Sequence, residues 1–111
     1  MKKIRVPKTH EAMTLLDTDQ CPPDMLHTLE LPEGVFKPLW QTDLLFDLSK
    51  ALDVWIDDYE SGHVVGREAI RTGRAICQDY VLANPELPVL RQIRDLFDLA
   101  DKYDTCVCFD L

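Results

Sequence analysis

The chain has 111 residues, of which 46% are hydrophobic and 29% charged, and its formal net charge is -8. This length predicts a single domain, 1–111, that can bury a core without disulfides or a metal, and the composition is too apolar for a disordered chain. The negative charge repels nucleic acid, so it disfavours direct DNA or RNA binding and favours basic partners.

The N-terminal sequence MKKIRVPKTH is basic, but the apolar segment that a secretory signal requires does not follow it. No apolar run approaches the roughly 20 residues needed to span a bilayer. We therefore expect a cytoplasmic protein without a membrane partner, in which the four cysteines stay reduced.

The first third of the chain predicts one strand, one short helix and a long loop. Lys2–Val6 alternates polar and apolar residues and stops at Pro7, which is typical of a short edge strand. Thr9 is a suitable N-cap for a helix over His10–Leu16. Asp17–Pro38 contains four prolines and a glycine, which predicts an irregular connection.

Three long helices and a strand are predicted for the rest of the chain. Apolar residues at three- and four-residue spacing predict helices over Thr42–Glu60, Val64–Ala83 and Leu87–Tyr103. After Asp104 the pattern becomes a short apolar run. The predicted fold class is α+β and predominantly helical, with three long helices packed together, a short N-terminal helix and a small sheet that includes the C-terminal strand.

The C-terminal sequence TCVCFDL raises the question of whether its cysteines bind a metal. In a strand, Cys106 and Cys108 share one face, so a disulfide between them is geometrically poor. A zinc site would need two further ligands, and neither Cys21 nor His63 has a recognisable ligand spacing. Because both faces of the strand are apolar, we interpret the two cysteines as core and expect no metal and no cofactor.

Other chemical candidates fail on spacing. Asp17–Asp19 resembles the start of a calcium loop, but Pro22 stands where that loop needs glycine. His10 beside Glu11 has no nucleophile close in sequence. We therefore predict no catalytic residues and no enzymatic activity.

The Val64–Ala83 helix carries a stripe of small residues and a stripe of arginines. Gly66, Ala69 and Gly73 would allow a neighbouring helix to approach closely, and we predict that they face one. The arginines are interpreted as internal partners for the surplus carboxylates rather than as an anion site. They are Arg67, Arg71 and Arg74.

The outward faces of the first and third long helices differ in charge. On the Leu87–Tyr103 helix, acids and bases at i,i+4 spacing neutralise each other. On the Thr42–Glu60 helix, five acids share the polar side with Lys50 alone, which leaves a local charge of -4. Phe46 and Val54 lie among these acids. The acids are Asp43, Asp47, Asp53, Asp57 and Glu60.

An acidic rim around an apolar centre is the arrangement that a protein-binding face needs, because the apolar groups anchor a partner and the charges steer it. We predict that these five acids, with Phe46 and Val54, contact a protein partner. In the alternative reading, the proline-rich segment folds over Phe46 and Val54, and the acids are merely solvated.

A short acidic chain whose last amphipathic helix runs directly into an apolar C-terminal strand, DKYDTCVCFDL, resembles immunity proteins of bacterial contact-dependent growth inhibition and other polymorphic toxin systems. The resemblance lies in size, charge and layout, and it carries over no residue by position. It implies direct binding and neutralisation of a cognate, basic toxin domain by a monomer. The alternatives are an acidic secretion chaperone or adaptor, which needs an apolar groove and usually a dimer, and thirdly an enzyme with an unrecognised site.

Overall fold

The computed structural model describes residues 2–54, 56 and 62–111. These residues form an α+β fold in which a four-stranded antiparallel sheet, in the order β2-β1-β4-β3, is covered by helices. The strands are β1 (Lys2–Pro7), β2 (Leu26–Leu31), β3 (Gly62–Val65) and β4 (Cys106–Asp110). The helices are α1 (His10–Asp17), α2 (Glu33–Trp40), α3 (Leu44–Leu52), α4 (Arg67–Ala83) and α5 (Pro88–Tyr103). The fold class is as predicted, but the number and lengths of the helices differ from the prediction.

Strand β1 is central in the sheet, so its prediction as an edge strand is wrong. It pairs with β2 from Lys2↔Leu31 to Pro7↔Leu26 and with β4 around Ile4↔Phe109. Pro7 lacks the N–H that a ladder needs, which is why the sequence predicts an edge strand. It stands at the last position of the strand, where the loss of that donor is tolerated.

The predicted loop over Asp17–Pro38 is also wrong, because it contains β2 and most of α2. A 3-10 turn at Pro23–Met25 leads into β2. Helix α2 follows directly, and the amide groups of Val35 and Phe36 each bond to the Pro32 carbonyl at 2.8 Å. Pro38 removes one further helical hydrogen bond. Burial of the α2 side chains Phe36 and Leu39 offsets that loss.

The first and second long helices are shorter than predicted. Helix α3 ends at Leu52, where Asp53 adopts the left-handed conformation with φ 53°. The distal part of the predicted helix, with Asp57 and Glu60, lies outside the described residues. Helix α4 begins at Arg67 rather than Val64, because the chain first forms β3 and then turns at Gly66, whose φ of +100° favours glycine.

The main core lies between one face of the sheet and helices α2 to α5. Val107 and Phe109 of β4 belong to this core, and the Phe109 ring lies 6.2 Å from that of Phe97 on α5. Cys106 and Cys108 are buried on the opposite face of the same strand, each 1% exposed. Their predicted burial is therefore confirmed.

The α4–α5 contact confirms part of the small-residue prediction. Gly73 is buried against Phe97, Ala69 is half-buried, and Gly66 precedes the helix in open space. The predicted stripe is therefore right at Gly73 and wrong at Gly66, where the chain turns out of β3.

The three arginines of α4 pair with carboxylates of α5, as the internal-partner interpretation predicts. Arg67 Nε and Arg71 Nε each lie 3.3 Å from Asp101 Oδ1, and Arg74 Nε lies 3.0 Å from Asp98 Oδ1. The charges of α5 are thus neutralised largely by α4. Asp98 therefore pairs with an arginine of α4, whereas the sequence predicts that the acids of this helix pair with bases at i,i+4 spacing on the same helix.

Candidate protein-binding face

The outer side of α3 and the end of α2 enclose an open groove with a volume of about 650 Å³, which we call the acidic groove. Phe46 is 67% exposed on α3, and Trp40 at the end of α2 is 46% exposed. The groove is lined by Trp40, Asp43, Leu45, Phe46, Ser49, Lys50, Asp53, Val54 and Ile56. Four of the seven residues predicted to bind a partner therefore line one concave surface.

At the start of α3, the capping role falls to Thr42 rather than to Asp43. The Thr42 hydroxyl donates to the Leu39 carbonyl at 2.7 Å and accepts from the Leu44 amide at 3.3 Å. Asp43 has a φ of 68° and makes no side-chain cap bond. Its carboxylate is exposed and forms no hydrogen bond or ion pair with any described residue. It therefore remains accessible at the rim of the groove.

At the end of α3, Ser49 ties the outgoing chain back to the helix. The Val54 amide bonds to the Ser49 carbonyl at 3.2 Å, and the Ile56 amide bonds to the Ser49 hydroxyl at 3.2 Å. This return places Val54 and Ile56 in the wall of the groove, while the Asp53 carboxylate stays exposed. The left-handed φ of Asp53 makes the return possible.

Two acids and one base, Asp43, Asp53 and Lys50, give the described lining a local charge of -1. The predicted value of -4 also counted Asp57 and Glu60, which lie outside the described residues, and Asp47. The acidic character of the described groove therefore rests on two exposed carboxylates.

Asp47 lies on the other side of α3, facing α4. Its carboxylate accepts a hydrogen bond from the Tyr80 hydroxyl. Burial and this hydrogen bond raise the pKa of Tyr80 to about 12, because both favour the neutral phenol. Asp47 thus connects two helices and does not line the acidic groove.

The proline-rich segment does not bury Phe46 but supplies Trp40 to the same groove. Val54 is half-buried, packs against the core and also lines the groove. Trp40 is not among the predicted residues, because it lies between the predicted loop, which ends at Pro38, and the predicted helix, which begins at Thr42. The spacing of Phe36, Leu39 and Trp40 is a helical signal that the prolines obscured.

A second group of chemically active side chains lies across the sheet. His63 on β3 and Cys108 on β4 are register partners, and His63 Nε2 lies 3.3 Å from Cys108 Sγ. His63 Nδ1 lies 3.7 Å from Asp17 Oδ1 at the end of α1. The sequence alone does not predict this pair, because only the strand register brings the two residues together.

The Cys108 thiol is poorly placed for nucleophilic chemistry. It is buried, and burial raises the pKa of Cys108 above its ordinary value although Arg5 opposes the shift. A protonated, covered thiol is a weak nucleophile. Among the described residues, no group of three or more His, Cys, Asp or Glu side chains is arranged to hold a metal ion.

No helix in the described part of the chain has the length and apolar character needed to cross a membrane. In comparisons with protein families, curated proteins and solved structures, no significant match was found.

Proposed function

We propose that the protein binds a basic protein partner through the acidic groove and thereby neutralises it, as an immunity protein neutralises a toxin domain. The observation that carries this proposal is the exposure of Phe46, 67%, in a groove rimmed by the carboxylates of Asp43 and Asp53, which pair with no described residue. Exposed aromatic side chains in a concave surface are typical anchors of protein interfaces. The net charge of -8 favours encounter with a basic partner.

The carboxylate of Asp53 makes no ion pair within the described fold, which supports a role for it in binding. A non-glycine residue in the left-handed region is strained, and a negative charge at a helix C-terminus opposes the helix dipole. Asp104 occupies the same position at the end of α5, but it lies 3.7 Å from Arg67 and 3.8 Å from His10. Asp53 has no such ion pair among the described residues. Its carboxylate is exposed at the groove and is therefore available to a basic group of a partner.

The expected partner surface carries lysine or arginine around an apolar side chain. The apolar side chain would pack between Phe46 and Trp40 and displace water from both aromatic surfaces. The basic groups would face Asp43 and Asp53 and accelerate association more than they strengthen the complex.

The test combines capture from the native host with matched variants. Immobilised wild-type protein is expected to retain a basic protein that Phe46→Ala and the double variant Asp43→Lys/Asp53→Lys lose. Leu82→Ala, at an apolar residue 71% exposed on α4, and the double variant Asp19→Lys/Asp79→Lys serve as controls for hydrophobicity and net charge. All variants must show wild-type circular dichroism. If the folded groove variants retain the same protein as wild type, the acidic groove is not the binding face.

The retained protein should then be tested for toxicity in cells that express it alone or with wild type. Rescue by wild type and failure of rescue by Phe46→Ala are expected. The exposed groove would also suit a secretion chaperone. A partner that is not toxic, and whose secretion or solubility depends on the groove, would support that function instead. Sedimentation provides a second distinction, since we expect a monomer and a secretion chaperone is usually dimeric.

A further inference from the structure

A second groove lies on the other side of Trp40 and differs in charge from the acidic groove. It has a volume of about 690 Å³, lies beside α2 and the end of β2, and we call it the Lys37 groove. Trp40 lines both grooves and forms the boundary between them. The other residues that line the Lys37 groove include Lys2, Leu31, Phe36, Lys37 and Gln41.

The apolar part of the Lys37 groove is an aromatic pair. The rings of Phe36 and Trp40 lie 5.7 Å apart and are tilted by 30°. Phe36 is nearly buried, whereas Trp40 is 46% exposed, so the indole offers most of the accessible apolar surface. A ligand that enters the groove can therefore bury an apolar side chain against the Trp40 indole, whose other side packs against the buried Phe36 ring.

The polar part of the groove is basic in an acidic protein. The side chains that line it include two lysines, Lys2 and Lys37, and one acid, Glu33, a formal charge of +1 in a chain whose net charge is -8. Lys37 is exposed and makes no hydrogen bond or ion pair with any described residue. Lys37 lies in the last turn of α2, where the helix dipole favours a cation. This interaction uses none of the hydrogen-bond donors of the ammonium group, so they can bind a ligand.

Lys2 adds a positive charge that is held in place. Its Nζ lies 5.0 Å from the centre of the Phe36 ring and 3.5 Å from the Leu111 carbonyl oxygen. An ammonium group over an aromatic ring and beside a carbonyl is fixed near the groove instead of extending into solvent. The groove thus places cations beside an exposed indole.

We propose that the Lys37 groove is a second docking site, which takes an apolar side chain flanked by carboxylates from an acidic segment of a protein partner. The lysines of the Lys37 groove disfavour the basic segments that suit the acidic groove, and the carboxylates at the acidic groove disfavour an acidic segment in turn. Trp40 would therefore contact both segments of a partner whose surface changes sign across it, and the two charges would fix the orientation of that partner.

Two short synthetic peptides test the proposal without knowledge of the partner. Both contain one central leucine, flanked by glutamates in the acidic peptide and by lysines in the basic peptide, with neutral ends. Titration into ¹⁵N-labelled protein is followed by NMR. The acidic peptide is expected to shift the signals of Lys37, Gln41 and the Trp40 indole, although the whole protein repels it. The basic peptide is expected to shift those of Phe46 and Asp53.

Charge variants separate specific docking from general electrostatics. Lys37→Glu is expected to weaken the acidic peptide about tenfold, while Lys102→Glu, an exposed change of equal charge on α5, leaves its affinity near that of wild type. Unshifted signals of Lys37 and Trp40, or equal weakening by both variants, would overturn the proposal. Failure of the basic peptide alone would count against the acidic groove and leave the Lys37 groove supported, so the two proposals fail separately.

Discussion

Gly73 of α4 and Phe97 of α5 are in such close contact that a Cβ atom placed on Gly73 would lie 2.3 Å from Phe97 Cε1. The glycine lets the Phe97 ring lie against the α4 backbone, and the same ring packs on Phe109 of β4. One position without a side chain thus connects two helices and the sheet. The arginine–aspartate pairs between α4 and α5 flank this contact.

We predict that Gly73→Ala lowers the free energy of unfolding, although alanine favours a helix by about 1 kcal/mol over glycine. The added methyl group must displace the buried Phe97 ring, and overpacking of this kind costs about 1–3 kcal/mol. Gly34→Ala is the matched control, because Gly34 lies in α2 and a Cβ atom placed on it would have no described atom of a neighbouring residue within 4 Å. Urea denaturation should show a loss for Gly73→Ala and no loss for Gly34→Ala. Equal effects would mean that the α4–α5 contact is looser than described.

The Tyr80–Asp47 hydrogen bond should make stability depend on alkaline pH. The folded-state pKa of Tyr80, about 12, is raised above the ordinary value of 10.0, so the stabilisation is fully present below about pH 10. It decreases as pH rises from 10 towards 12 and is then lost. Tyr80→Phe should therefore be less stable than wild type by about 1 kcal/mol at neutral pH, with the difference vanishing near pH 12.

The control for this measurement is Asp47→Asn, which keeps the shape of the side chain and removes its charge. The alkaline loss of stability should be smaller in this variant, because part of the raised pKa of Tyr80 comes from the Asp47 carboxylate. A difference between wild type and Tyr80→Phe that stays constant up to the highest pH would contradict the prediction.

Thiol labelling should distinguish Cys21 from the other three cysteines. Cys21 is half-exposed, whereas Cys77, Cys106 and Cys108 are buried. Burial raises the pKa of both Cys77 and Cys106 to about 12, so few thiolates form in the folded protein. Iodoacetamide should modify one cysteine rapidly in native protein and four after denaturation, and Cys21→Ser should abolish the rapid phase. Rapid labelling of Cys108 would show that its pairing with His63 leaves the thiol accessible.

The parts of the fold that the sequence predicted well are those in which local and tertiary signals agree. Thr9 caps α1 through the Ala12 amide at 3.0 Å, and the periodic apolar face of α5 is buried along its length. Strand β4 is apolar on both faces because both faces are covered. The sequence pattern of α3 also predicts which side of the helix faces the core, and Phe46 is an apolar residue on the other side.

The parts that were missed depend on contacts distant in sequence. In the α2 segment, the prolines argue against a helix more strongly than the short apolar pattern argues for one. The helix depends on the burial of Phe36 and Leu39 in the core, which the local sequence does not show. No local signal ends α3 at Leu52, since the left-handed Asp53 is held by the return of the chain to Ser49. The pairing of His63 with Cys108 follows from strand register alone.

The last prediction separates stability from binding at Asp53. Asp53→Asn keeps the size of the side chain, suits the left-handed conformation and removes a negative charge from the C-terminal end of α3. We expect it to raise the free energy of unfolding by about 0.3–1 kcal/mol. It should also slow association with the basic peptide or with the basic partner, because a steering charge is lost from the groove.

Asp19→Asn is the matched control. Asp19 is also left-handed, with φ 58°, follows the end of α1 and is exposed without an ion pair to any described residue. Asp19→Asn changes the net charge by the same amount as Asp53→Asn. We expect a similar gain in the free energy of unfolding and no change in the association rate. Both variants are compared by urea denaturation and by stopped-flow association at low and high salt, since steering weakens as salt increases. Equal slowing by the two variants would assign the effect to net charge, and a loss of stability in Asp53→Asn would assign the carboxylate a role within the fold.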